Sequence, residues 1–133
     1  MEVYLAVLSR KGGIPAELFT TVESLEELLL PFHPAVEHKD QWLSESGRTA
    51  LWSWGNGPPA IPWGIAKSNR AAVCMSGYAL ESGSLVSADE LLERTDHSDV
   101  DCAVARLGGV FSLARVEGDR ILAWNTPARL EQV

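Results

Sequence analysis

Short apolar runs of strand length dominate the hydrophobic pattern of this chain. Residues 3–8 and 71–78 are nearly continuous apolar runs, which is typical of strands buried on both faces. Residues 48–54 contain Leu51 and two tryptophans, side chains that favour a pleated and half-buried surface. The pattern therefore predicts three strands in the first 80 residues, with polar loops over residues 36–47 and 55–64.

The clearest single element is a β-hairpin near the end of the sequence. Residues 110–117 and 120–125 are strand-like, and the turn sequence Glu117-Gly118-Asp119 separates them. Capping-box patterns, in which glutamate follows a serine by three residues, open predicted helices at Ser24 (residues 24–30) and at Ser87. A third helix is predicted to stop at Gly108. Five strands and three short helices with antiparallel pairing indicate the α+β class.

The composition limits the classes of partner. A chain of 133 residues is one domain, and its formal net charge of −7 disfavours nucleic acid and anionic membranes as partners. No apolar run approaches the roughly 18 residues that a membrane span needs. Two cysteines are too few for a disulfide framework. Because no signal-peptide pattern and no membrane span are visible, a cytoplasmic location is the default expectation.

Motifs for chemistry are sparse. The three histidines and two cysteines show no metal-ligating spacing, so no metal site is predicted. Gly55-Asn56-Gly57 is followed by two prolines, which lack the backbone amides of a phosphate-binding loop. We therefore expect no catalytic residue and no bound cofactor in this chain.

Four of the five tryptophans surround the proline-rich stretch at residues 55–64. One interpretation is that these side chains cover the core beneath a long loop. The other is an aromatic surface for a protein partner, because tryptophan is enriched at interaction hot spots. The second interpretation assigns Trp52, Trp54 and Trp63 to an interaction surface.

The end of the chain resembles a known family. Leu107-Gly108-Gly109-Val110-Phe111, the acidic turn Glu117-Gly118-Asp119 and the strand Ile121-Leu122-Ala123-Trp124-Asn125 are similar to the segment that closes the N-terminal domain of asparagine synthetase-type enzymes. Ser76-Gly77-Tyr78 stands in the place of the family's Asn-Gly-Glu. Ser98-Asp99-Val100-Asp101 resembles its Ser-Asp-Thr-Glu. The chain is thus similar to a class II glutamine amidotransferase domain.

The resemblance implies the layered antiparallel sandwich of N-terminal-nucleophile hydrolases, in complete or incomplete form, with its glutaminase chemistry removed. The family's nucleophile is an N-terminal cysteine that uses its own α-amino group as base. Here Met1 precedes Glu2, and Ser76 replaces the asparagine of the oxyanion hole. A remnant ligand pocket would retain Ser76, the backbone of Gly77 and, on the amine-binding side, Asp99.

The functional expectation follows from that resemblance. Residues 1–133 would form a single glutaminase-like domain, either alone or as the N-terminal part of a longer amide-forming synthetase in a bacterial biosynthetic pathway. β-Lactam synthetases and lasso-peptide cyclases contain such domains without a working cysteine. ATP and Mg²⁺ would bind a downstream synthetase domain, whose Ser-Gly-Gly-x-Asp loop this sequence lacks. The partner would be that domain or a separate protein. Formation of a homodimer is a further possibility.

The alternative comes from another class of protein. A small acidic chain with a tryptophan-rich surface is also compatible with a binding or immunity-type protein. The two expectations differ in topology. Two stacked antiparallel sheets with the first strand central would favour the amidotransferase-like domain, and a single sheet backed by helices would favour the alternative.

Overall fold

The computed structural model describes residues 2–29, 37–55, 64–97 and 99–126. The described part contains eight strands and three helices. In chain order they are β1 (Glu2–Leu8), α1 (Ala16–Leu29), β2 (His38–Leu43), β3 (Thr49–Gly55), β4 (Ala66–Lys67), β5 (Ala71–Glu81), β6 (Ser84–Val86), α2 (Ala88–His97), α3 (Val100–Ala105), β7 (Gly108–Glu117) and β8 (Ile121–Asn125). The α+β class is confirmed. None of the described helices has the length and apolar character of a membrane span.

The strands form two antiparallel sheets. Sheet I has the order β1-β3-β2, and sheet II has the order β4-β5-β7-β8 with β6 paired to the far end of β5. Among the described strands, β3 is the central strand of sheet I and β1 lies at its edge. The predicted hairpin is confirmed as β7 and β8, in which Val116 pairs with Ile121.

The two sheets stack on each other, and helices cover both outer faces. Side chains alternate between the two faces of a strand, so Trp52 and Trp54 of β3 face α1, while Leu51, which directly precedes Trp52, faces sheet II. The outer face of sheet II packs against α2 through Leu91 and Leu92. The described part of the chain therefore has four layers, with α1 outside sheet I and the other two helices outside sheet II.

This stacking explains why the buried strands were recognisable in the sequence. All seven residues of β3 are buried, because one face meets α1 and the other meets sheet II. A strand with two covered faces has no polar side to alternate with. The apolar run at residues 71–78 begins in the same way, because residues 71–74 are buried on both faces, whereas Gly77 and Tyr78 at its end are exposed.

The prediction of a loop over residues 36–47 was wrong in part. β2 occupies most of that stretch, and Trp42 is its one buried side chain. Trp42 reaches between the sheets, where its Nε1 donates to the backbone oxygen of Ser68 at 3.0 Å. β2 is an edge strand with one partner, β3, so five of its six residues can be polar or exposed.

The predicted start of the first helix was also wrong. α1 begins at Ala16, eight residues before the expected cap, and Ser24 lies inside it with its hydroxyl bonded to the backbone oxygen of Thr20 at 3.2 Å. The apolar positions Leu18, Val22 and Leu25 pack on sheet I at helical spacing. Tertiary packing of this face outweighs the local capping pattern at Ser24.

Of the other two helix predictions, the start of α2 is confirmed and the end of α3 is wrong. The cap of α2 is confirmed, because the hydroxyl of Ser87 accepts from the backbone amide of Glu90 at 3.2 Å. α3 is capped by Asp99, which accepts from the backbone amide of Asp101. It ends at Ala105, and Gly108 already belongs to β7 rather than to a helix stop.

The backbones of β5 and β7 approach closely at two glycines. Gly77 has a φ of +93°, and a Cβ there would overlap the carbonyl oxygen of Val110. Gly109 has a φ of +102°, and a Cβ there would overlap the carbonyl oxygen of Tyr78. A side chain at either position would have to separate β5 from β7, the two longest of the described strands.

We predict that Gly77→Ala destabilises the fold much more than a glycine replacement at an open turn. Gly83 also has positive φ, but a Cβ there meets nothing within 4 Å, so Gly83→Ala measures backbone strain alone. Gly83→Ala should cost about 1 kcal/mol. Gly77→Ala should cost at least about 2 kcal/mol more, because it adds a backbone collision. Urea unfolding measures both values, and equal losses would contradict the close approach.

Candidate functional site

Ser76 lies on the face of sheet II that meets sheet I. By strand alternation its side chain is on the same face as Ala72 and Cys74, which belong to the layer between the sheets. Ser76 pairs with Ser112 across β5 and β7. The hydroxyl of Tyr4 in β1 bonds the hydroxyl of Ser112. The first half of β1 therefore lies beside the position of Ser76.

Asp99 lies on the other side of sheet II. It caps α3, whose Val104 packs on the outer face of that sheet. Asp99 lines a cavity of about 220 Å³ together with Thr95, Asp101, Arg120 and Trp124, among others, and the described lining includes neither Ser76 nor Gly77. The three residues of the expected remnant pocket are thus not brought into one cavity.

Gly77 has a structural reason to be glycine. Its positive φ and the nearby carbonyl of Val110 exclude a side chain there, whatever its backbone amide does. The presence of glycine at this position therefore does not by itself point to an oxyanion hole.

The two cysteines differ in accessibility. Cys74 is fully buried in the layer between the sheets, where a substrate cannot reach its thiol. Cys102 is exposed on α3, on the opposite side of sheet II from Tyr4 and Ser112. Within the described ranges, no group of three or more histidine, cysteine, aspartate or glutamate side chains could hold a metal ion.

The tryptophans of β3 are mostly covered. Trp52 and Trp54 are each 6% exposed, and Trp52 makes an edge-to-face contact with Phe19 of α1 at a centroid distance of 5.6 Å. Trp63 lies outside the described residues. Trp52 and Trp54 do not form a flat exposed patch. They contribute to the floor of a cavity of about 390 Å³ between α1 and β2.

The walls of this cavity were not identified from the sequence. Lys39 and Gln41 come from β2, Glu23 comes from α1, and Val22 extends the apolar floor. Because β2 was expected to be a loop, nothing marked Lys39 and Gln41 as neighbours of the tryptophans. Residues 38–43 are four polar residues followed by Trp42 and Leu43, so the sequence shows no alternation that could have indicated this strand.

Asp40 holds the edge of sheet I to the start of β4. Its Oδ1 accepts from Lys67 and from the backbone amide of Gln41 at 2.9 Å, and its Oδ2 accepts from the backbone amide of Ile65 at 3.2 Å. Burial raises the pKa of Asp40, but the hydrogen bonds from Lys67 and from the two amides outweigh burial and lower it. The ionised carboxylate is therefore the form that the fold stabilises.

A buried arginine ties α2 to sheet II. Arg115 is 5% exposed, and its guanidinium donates to Thr95 at 2.6 Å, to Asp96 at 2.7 Å and to Glu117 at 3.0 Å. Arg120 also bonds Glu117, and this bond is the largest influence that lowers the pKa of Glu117. Since protein groups satisfy the guanidinium on three sides, Arg115 is a structural residue rather than a ligand-binding one.

Comparison with known proteins gives no relative, because no family model, no curated protein and no solved structure matches the chain significantly.

We predict that Asp40→Asn weakens the fold at neutral pH and that this loss disappears in acid. A carboxyl with a lowered pKa stabilises the fold above its ordinary pKa of 3.8, and that contribution is lost as the pH falls through the lowered value. Because Asp40 is partly exposed, the expected loss at pH 7 is about 1 kcal/mol. Urea unfolding at pH 7 and at about pH 2 measures both limits.

Glu45→Gln is the control, since it removes one exposed carboxylate from the turn between β2 and β3. It should leave the free energy of unfolding within about 0.5 kcal/mol of the parent. A loss for Asp40→Asn that persists unchanged in acid would contradict the role of its charge.

Proposed function

We propose that this chain is a non-catalytic, glutaminase-like domain. It acts as a scaffold or interaction module for an ATP-dependent, amide-forming enzyme of the asparagine synthetase type, in a bacterial biosynthetic pathway. The observation that carries the proposal is the position of β1. Its Tyr4 contacts Ser112, which pairs with Ser76, so the first strand lies against the face that bears the Ser76-Gly77 motif. In the family that the chain resembles, the nucleophile and the oxyanion donor must meet in this way.

The layer order also supports the proposal. Two stacked antiparallel sheets with helices on both outer faces are similar to the sandwich of N-terminal-nucleophile hydrolases. A single sheet backed by helices, which would have favoured the alternative, is not what the described residues form. The position of β1 at the edge of sheet I, with β3 central, departs from the expected arrangement.

Under this proposal the residues at this position do not perform glutamine hydrolysis in the family's way. That reaction needs a nucleophile, a base and oxyanion donors within hydrogen-bond reach of one carbon atom. Glu2 begins β1, Ser76 replaces the asparagine, and Asp99 lies on the far side of sheet II. Under this proposal the domain acts as a scaffold or a binding surface, and ATP and Mg²⁺ bind a synthetase domain.

Glutaminase activity is the first test. Purified protein incubated with L-glutamine should release ammonia no faster than buffer, because the described cysteine nearest to Ser76, Cys74, is fully buried. Coupled assay with glutamate dehydrogenase measures the release. Ammonia production that Ser76→Ala or Cys102→Ala abolishes would contradict the proposal.

The gene supplies the second test. We expect the gene that encodes this chain, or a directly neighbouring gene, to encode a Ser-Gly-Gly-x-Asp pyrophosphate loop. Sequencing the locus decides this point. A locus with no such loop in this gene or in the adjacent genes would contradict the link to an amide-forming synthetase.

A second candidate function has one specific observation in its favour. The cavity above Trp52 and Trp54 is a recess in the surface of a small acidic protein, as a binding or immunity-type protein could use. The two candidates differ in where a partner binds. A protein partner whose binding is lost on changes around the cavity, but not on changes at Ser76 and Tyr78, would favour this second function.

A further inference from the structure

The cavity between α1 and β2 arises from the geometry of one helix on three strands. A helix with its side chains is about 10 Å wide, and neighbouring strands are about 4.8 Å apart, so one helix covers roughly two strands. The described apolar contacts of α1 are with β1 and β3, for example Leu5 and Trp52. The α1-side residues of β2, namely Lys39, Gln41 and Leu43, are exposed. A recess follows along the third strand.

The recess has an apolar floor and polar walls. Trp52, Trp54 and Val22 form the floor, and each of them is less than 10% exposed. Lys39 and Gln41 stand on the β2 wall, and Glu23 stands on the α1 wall. Its volume of about 390 Å³ lies in the range of small-molecule sites, which combine apolar lining with a few polar groups.

The pairing of β2 with β3 determines which polar residues lie beside the two tryptophans. Lys39 pairs with Trp54 across β2 and β3, and Gln41 pairs with Trp52. Cross-strand partners share a face, with their Cβ atoms about 5 Å apart. Lys39 and Gln41 therefore begin beside the two tryptophans on one face of sheet I, and all four residues line the recess. Glu23 carries the opposite charge on the helix. Asp40 also lines the recess, but its carboxylate is bonded to Lys67 and to the backbone amides of Gln41 and Ile65, so Lys39 is the cation that the β2 wall offers to a ligand.

We propose that this recess binds a small zwitterion of the amino-acid class with an aromatic side chain. Its carboxylate binds Lys39, its ammonium binds Glu23, and its ring lies against the indoles of Trp52 and Trp54. An ammonium has three N–H donors, so Lys39 can bind a carboxylate in addition to partners within the protein. Aromatic contact with the floor adds affinity beyond the buried area.

The site is independent of the proposed glutaminase-like function. It lies on the outer face of sheet I, whereas the face that bears Ser76 lies between the sheets. A failure of either proposal therefore leaves the other unaffected.

Binding of three related probes tests the assignment of charges. L-Phenylalanine carries both charges, 3-phenylpropionate lacks the ammonium, and phenethylamine lacks the carboxylate. Indole N–H resonances in two-dimensional NMR, recorded with probe up to about 5 mM, report binding at the floor. We expect phenylalanine to bind more tightly than either truncated probe. Absence of binding by all three, or equal binding by all three, would overturn the proposal.

Two charge-removing variants make the test specific. Lys39→Gln should weaken phenylalanine and 3-phenylpropionate binding about tenfold and leave phenethylamine unchanged, because one charged hydrogen bond is lost. Glu23→Gln should show the reverse selectivity, weakening phenylalanine and phenethylamine only.

Lys11→Gln and Glu45→Gln are the matched controls. Both residues are exposed and lie in turns away from the recess lining, so binding of all three probes should remain as in the parent. If Lys39→Gln and Lys11→Gln affect the probes equally, or if selectivity does not reverse between Lys39→Gln and Glu23→Gln, the proposal is overturned.

Discussion

The apolar layer between the two sheets is the constraint on which the rest of the structure depends. Trp42 and Leu51 enter it from sheet I, and Ala72, Cys74 and Val116 enter it from sheet II. Once these faces are joined, the outer face of each sheet still carries apolar side chains that must be covered. α1 covers one outer face, and α2 with α3 covers the other, which produces the four layers.

Polar contacts at the margins of this layer fix how the sheets sit on each other. The indole of Trp42 bonds Ser68, the carboxylate of Asp40 bonds the amide of Ile65, and the hydroxyl of Thr49 bonds the backbone oxygen of Glu117 at 2.5 Å. Each contact satisfies a group that would otherwise lose water on burial. The same stacking separates Ser76, on the inner face, from Asp99 on the outer side.

The parts of the fold that follow from local pattern could be predicted from the sequence. β3 and the first part of β5 were recognisable because both faces are buried there, and the β7–β8 hairpin was recognisable from its turn. β2 was missed because an edge strand with one buried residue, Trp42, has the composition of a loop. The start of α1 was misplaced because Ser24 resembles a cap, whereas packing of Leu18 and Val22 decides the helix.

The site was less predictable than the fold, because its residues come from separate elements. The motif at Ser76-Gly77 and the cap at Asp99 were both visible in the sequence, but their separation by sheet II depends on the layer order. The recess over Trp52 and Trp54 depends on how far α1 extends across sheet I. Its charged residues, Lys39 and Glu23, lie on different elements and share no motif.

Methyl–methyl nuclear Overhauser effects in a ¹³C-edited NMR spectrum test the stacking of the sheets most directly. The stacking predicts effects from the methyl groups of Leu51 to those of Ala72 or Val116, which face the same layer. It predicts none from Leu51 to Val73 or Leu113, which face the helices on the other side of sheet II. Effects from Leu51 to Val73 or Leu113, without any to Ala72 or Val116, would contradict the layer order.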